Sequence, residues 1–145
     1  MTALTKGQIL EMIPHRDPFV WVDEVQELTP TKITATKFLD PGLDVFRGHY
    51  PNFPVLPGVL QCEMCLQAGA LLIAQLEKVA EGQVPVATRI NNVKFKHMVK
   101  PGDTVQITAE LTEKLANAYY LTGKVTVNGK TATTLEFACT ATAVG

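Results

Sequence analysis

The stretch from Gly58 to about Glu81 limits the fold more than any other part of the chain. It is helical in composition, and between Cys62 and Ala74 its only polar side chains are Glu63 and Gln67. A helix at a protein surface needs a polar face, so one that is apolar nearly all round is a buried helix. About 24 residues rising 1.5 Å each make a rod of roughly 36 Å. Gly82 stands where a helix stop is expected. The remaining chain must therefore wrap around this rod. The longest unbroken small and apolar run is Ala68 to Ala74, against the roughly 20 residues of a membrane-spanning helix, so the sequence predicts no membrane span.

The covering elements read as β-structure. Before the rod, Phe19 to Leu28 and Thr31 to Leu39 predict two strands around a Thr29-Pro30 turn. After it, Val84 to Met98 predicts one long strand or two short ones. Thr104 to Leu115, Tyr119 to Val127 and Lys130 to Ala143 predict three more. Val127-Asn128-Gly129-Lys130 has the composition of a two-residue type I′ hairpin, and Lys100-Pro101-Gly102-Asp103 is a second turn. A short helix opens the chain: Thr5 and Gln8 have capping-box spacing, Ile9, Leu10 and Ile13 form a stripe, and Pro14 ends it. No alternation of β and α units calls for a parallel sheet. The expected fold class is α+β, a bent, mostly antiparallel sheet around one helix. At 145 residues the chain fits a single domain, residues 1–145.

Residues 40–57 break the pattern. Pro41, Pro51, Pro54 and Pro57 exclude regular helix or central strand. Phe46, Tyr50, Phe53 and Leu56 call for an ordered loop, and long apolar loops in compact domains are usually functional. This loop carries His49, whose side chain suits proton abstraction near neutrality. The helix that follows carries Glu63, which burial would favour as the protonated acid. Gly58 sits at the helix N-terminus, where free amides and the dipole suit a developing oxyanion. Gln67 lies four residues beyond Glu63 on the same helix face. A loop histidine is more often structural than catalytic; a buried glutamate demands a partner.

Charge and cysteine usage narrow the function further. The formal net charge is −1, from 13 Lys and Arg against 14 Asp and Glu, so nothing points to nucleic acid. The total conceals a local excess: residues 83–102 hold Arg89, Lys94, Lys96 and Lys100 and no acid. They form either a solvated face or a docking face for an acidic protein. Three cysteines do not make a disulfide framework. Cys62-Glu63-Met64-Cys65 matches the bare C-x-x-C pattern, but its place inside an apolar helix favours packing over redox or zinc chemistry. The opening residues, MTALTKGQILEMIPHRDPF, contain no secretory apolar region or cleavage site. They predict a cytoplasmic protein. His15, beside Pro14 and Arg16, reads as structural, and His97 is given no role.

The run GHYPNFPVLPGVLQCEMCLQAGALL closely resembles the active-site region of 3-hydroxyacyl-acyl-carrier-protein dehydratases of the FabZ type. These carry G-H-F-P, then P-G-V-L, then a Glu three residues later and a Gln four beyond that. Three further segments agree in order: Pro14-His15-Arg16-Asp17-Pro18-Phe19 with Val22-Asp23, Val93-Lys94-Phe95-Lys96 with Val99 to Asp103, and Asn128-Gly129-Lys130. Tyr50 stands in place of the usual Phe. DPGLDVF replaces a common N-E-P-F-F, and VPVATRI lacks an aromatic pair that can gate the acyl tunnel in relatives. The resemblance implies a hot-dog fold and homodimers, often trimers of dimers, with His and Glu of one site from different subunits. It implies His49 as base, Glu63 as acid partner, Gly58 N–H at the oxyanion, no cofactor or metal, and an acyl carrier protein as partner. The implied reaction turns a 3-hydroxyacyl thioester into a trans-2-enoyl thioester in fatty acid biosynthesis. A hot-dog thioesterase and a non-catalytic carrier-binding relative are the alternatives. Glu63 argues mildly against isomerisation to the 3-enoyl product, because that branch usually has Asp at this position.

Overall fold

In a computed structural model, residues 3–76 and 83–143 are described. The elements run α1 (Lys6–Met12), β1 (Glu24–Leu28), β2 (Lys32–Phe38), α2 (Val45–Gly48), α3 (Gly58–Leu76), β3 (Gln83–Phe95), β4 (Thr104–Leu115), β5 (Ala118–Val127) and β6 (Lys130–Ala143). The six strands form one sheet in the order β1-β2-β4-β5-β6-β3, and every pairing is antiparallel. The sheet closes around α3, whose Met64, Cys65, Ala68, Leu71, Leu72 and Ile73 are buried in its core.

Local chemistry explains most boundaries. Thr5 caps α1 with the predicted reciprocal box: its hydroxyl accepts from the Gln8 amide, and the Gln8 side chain accepts from the Thr5 amide. Asn128 and Gly129 both take positive φ, 51° and 76°, as a type I′ turn requires. Gly102, at φ 87°, turns the chain into β4, where the Asp103 amide donates to the Lys100 carbonyl at 3.1 Å.

Three expectations change. The strand predicted over Phe19 to Leu28 is β-structure only from Glu24, because backbone groups of Phe19 and Trp21 bond to a helix side chain, described below. Residues 84–98 form one strand ending at Phe95 and interrupted by register shifts. The proline-rich loop contains a helical turn, α2, which no periodicity announced. By length and composition alone, α3 would also pass for a membrane-crossing helix. The core helix of a globular domain passes the same test, and 61% of this one is buried inside the fold, as its sequence predicts. Its apolar surface is covered by the sheet. The predicted helix end near Gly82 lies outside the described residues.

Close approach of α3 to the sheet depends on glycine at two points. A Cβ on Gly69 would meet the Phe137 ring at 2.8 Å, and one on Gly123 of β5 would meet Cys65 Cβ at 2.8 Å. Neither neighbour can move freely, since Phe137 and Cys65 are buried. Gly123→Ala is expected to cost about 1–3 kcal/mol by overpacking. Thermal denaturation should show Tm lower by roughly 3–10 °C; an unchanged Tm would mean that helix and sheet are not in such close contact.

Candidate active site

His49 is set by the loop that precedes α3. Its backbone amide donates to the Val45 carbonyl, and its carbonyl accepts from the Val55 amide at 2.9 Å. The ring stacks on Tyr50, with centroids 4.1 Å apart. Nδ1 lies 2.8 Å from the Val55 carbonyl oxygen. That oxygen can only accept, so Nδ1 carries the ring proton and Nε2 is left with a lone pair. The loop thus presents His49 in the tautomer that a base requires.

Gly58 begins α3. The Leu60 and Gln61 amides turn back to the Pro57 carbonyl, while the Gly58 and Val59 amides lie ahead of the helix ladder. The Phe95 ring covers Gly58 so closely that a Cβ there would stand 2.8 Å from Cζ. The start of the helix is fixed by Gln61, a residue without a sequence-predicted role. Its Oε1 accepts from the buried Thr133 hydroxyl at 2.6 Å. One cavity of about 400 Å³ gathers His49, Gly58, Phe95, His97 and Met98.

Glu63 faces a different cavity, of about 200 Å³, which His15, Leu66, Ala70, Pro85 to Ala87 and Cys139 complete, and Gln67 lies buried behind it. Gln67 is fully buried and saturated. Its Oε1 accepts from the Trp21 amide at 2.8 Å. Its Nε2 donates to the Phe19 carbonyl at 2.8 Å and to Glu63 Oε2 at 3.0 Å. The orientation of the amide is forced, since Trp21 N–H can only donate and Phe19 C=O can only accept. These bonds explain the irregular chain at residues 19–23. Glu63 is less enclosed than the helix around it: its side chain is 21% exposed, which corrects the expectation of full burial. Its position near the outer rim of the helix, toward strand β3, is the reason.

A single subunit thus does not bring the sequence-predicted residues together. His49 and Gly58 open on one cavity, and Glu63, held from behind by Gln67, on another. His15, expected to be structural, stands with Nε2 3.7 Å from Glu63 Oε2, and His97 lines the His49 cavity. Neither placement had a signal in periodicity or spacing, because both residues lie in irregular chain. The basic residues divide as well. Lys94 and Lys96 line one groove with Lys32 and Lys124, Lys100 joins Lys96 on a second, and Arg89 lies on a third with Glu113 and Glu136.

The cysteines fit packing. Cys62, Cys65 and Cys139 are free and buried, and burial raises all three thiols, that of Cys139 to about 12. A redox pair needs the opposite shift.

Comparison with known proteins bears on the family and the fold. Residues 25–134 match the family model described as ApeI-like, ApeI dehydratase. The chain is 38% identical over 126 residues to 3-hydroxyacyl-acyl-carrier-protein dehydratase FabZ of Clostridium perfringens, covering 87% of this chain and 90% of that one. The chain belongs to the ApeI-like dehydratase family. FabZ of Petrotoga mobilis is 40% identical, over 83% of this chain and 85% of that one. Among solved structures, the dehydratase heterocomplex ApeI:P from Xenorhabdus doucetiae superposes with a TM-score of 0.75 at 16% identity, over 92% and 90% of the two chains. A hypothetical thioesterase with coenzyme A from Streptococcus pneumoniae gives 0.66 at 12% identity, over 92% and 91%. These two likenesses establish the hot-dog fold; the dehydratase family rests on the sequence relatives.

Proposed function

We propose that this chain dehydrates 3-hydroxyacyl thioesters carried by acyl carrier protein in fatty acid biosynthesis. In this reading it works as a homodimer whose site takes His49 from one subunit and Glu63 from the other. The carrying observation is the geometry of β3. This strand has a neighbour on one side, β6, and its outer half exposes Ile90, Val93 and Phe95. Its first residues, Pro85 to Ala87, line the Glu63 cavity, and its last, Phe95, lines the His49 cavity. Two copies pairing antiparallel along β3 would set the start of one strand beside the end of the other. The two half-sites then meet twice, across a two-fold axis.

The chemistry follows from the atoms. His49 Nε2 removes a proton from C2 of the thioester. Negative charge develops on the thioester oxygen, where the free amide of Gly58 and the α3 dipole stabilise it. Glu63 protonates the departing 3-hydroxyl, so water leaves and a trans-2-enoyl thioester remains. His49 is left cationic and Glu63 anionic, and proton exchange with solvent restores both. The Lys96 and Lys100 groove adjoins the His49 cavity through Phe95, His97 and Met98. It holds two lysines against one acid, Asp103, whereas Arg89 shares its groove with Glu113 and Glu136, so the lysine groove suits an acidic carrier better.

The test supplies a 3-hydroxyacyl thioester of acyl carrier protein to the purified protein. The expected result is ultraviolet absorbance of a conjugated enoyl thioester without release of free thiol. Thiol release would favour a thioesterase. Carrier binding with no conversion would favour a non-catalytic role.

A further inference from the structure

We propose that His15 is a positioning residue which, together with Gln67, saturates one oxygen of Glu63 with N–H donors and so confines the acid's proton to the other oxygen. The inference rests on the dehydratase reading, in which Glu63 must deliver a proton. Both neighbours of the carboxyl converge on Oε2: Gln67 Nε2 at 3.0 Å and His15 Nε2 at 3.7 Å. Oε1 has no hydrogen-bond partner among the described residues. Gln67 cannot turn away, because each of its polar atoms is committed elsewhere as well.

The tautomer of His15 follows from its other nitrogen. Nδ1 is buried and has no hydrogen-bond partner among the described residues. A stranded N–H costs more than a stranded lone pair, so the ring proton belongs on Nε2, facing Glu63. The backbone at His15 is held without help from Glu63, since Arg16 Nη1 donates to the carbonyls of Ile13 and His15 at 2.9 and 2.6 Å. The 3.7 Å separation is longer than a hydrogen bond, and catalytic hydrogen bonds often tighten once substrate is bound. With donors on Oε2, a protonated Glu63 carries its proton on Oε1, the oxygen left for the leaving hydroxyl. An orphaned ring nitrogen also shows that His15 is poorly chosen for packing, since an apolar residue would fill the same space without a stranded polar atom.

The test compares His15→Leu, which keeps bulk and removes the donor, with His15→Gln, which can return an N–H near the Nε2 position. Each is assayed on a 3-hydroxyacyl thioester and on its 3-chloro analogue, whose chloride leaves without a proton. His15→Leu should keep or raise Tm, lose about 10- to 100-fold in kcat on the hydroxy substrate, and stay within about threefold on the chloro substrate and in KM. His15→Gln should recover part of the lost kcat. Equal losses on both substrates, no loss on either, or a His15→Leu protein that fails to fold would each overturn the proposal. A wild-type protein that eliminates chloride but not water would instead remove the dehydratase reading beneath it.

Discussion

A mixture of His49→Ala and Glu63→Gln subunits, each inactive alone, is expected to recover about a quarter of wild-type activity after unfolding and refolding together. The reasoning is geometric. Within one subunit His49 and Glu63 line separate cavities, and β3 runs between them with no strand on its outer edge among the described residues. If two subunits share β3 edges about a two-fold axis, each site has one histidine donor and one glutamate donor. A mixed dimer then holds one site with both lesions and one site with neither. Random mixing makes about half of the dimers mixed, and half of their sites active. Removing either group alone takes away the proton acceptor or the proton donor, and each is expected to lower turnover by at least about 10²- to 10⁴-fold. Steady-state dehydration assays before and after co-refolding provide the measurement. Mixtures that stay as inactive as their components would locate the whole site in one subunit and end the shared-site proposal.

The same geometry shows what the sequence could and could not disclose. Residues whose role is set by a local pattern were legible: the Thr5 capping box, the Asn128-Gly129 turn, and the apolar rod with Glu63 and Gln67 one turn apart. The motif around His49 and Glu63, and the division of the pair between subunits, were legible as a resemblance; the residues alone did not show that the two face different cavities, because that depends on the path of β3. His15 is the clearest case of a hidden partner. It lies 48 positions before Glu63 in irregular chain, and contact arises only because Gln67 draws residues 19–21 onto α3. The loss of strand structure from Phe19 to Trp21 has the same origin: long-range bonds to the Gln67 side chain took the place of the backbone ladder that the sequence predicted. Charge reads poorly for a related reason. Four basic residues close in sequence fall on three grooves, because Arg89 and Lys94 lie on either side of a register shift in β3 and Lys96 and Lys100 lie in the irregular chain after the strand.

Gln67→Leu is expected to be the most destabilising single change in the site and to slow the enzyme as well. Leucine matches the volume but none of the bonding. The Trp21 N–H and the Phe19 C=O lose their partners, and Glu63 loses the donor on Oε2. An unsatisfied buried group costs about 1–3 kcal/mol, and the better enclosed of these two backbone groups is at Trp21, whose residue is 6% exposed. A total near 3 kcal/mol follows, or roughly 10 °C in Tm for a chain of this size. The activity loss should exceed the stability loss: at temperatures where the variant is fully folded, kcat should still be down by about 10- to 100-fold, since Glu63 is no longer oriented. Gln67→Glu is the sharper comparison. It preserves shape, and its carboxylate accepts from Trp21, but it can no longer donate to Phe19 or Glu63 unless protonated. Its stability should therefore rise as pH falls, because the protonated side chain is the form that the folded site accommodates. Denaturant titrations at several pH values measure this. A Gln67→Glu protein as stable as wild type at neutral pH would mean that Gln67 is not the joint between the first extended segment and the central helix.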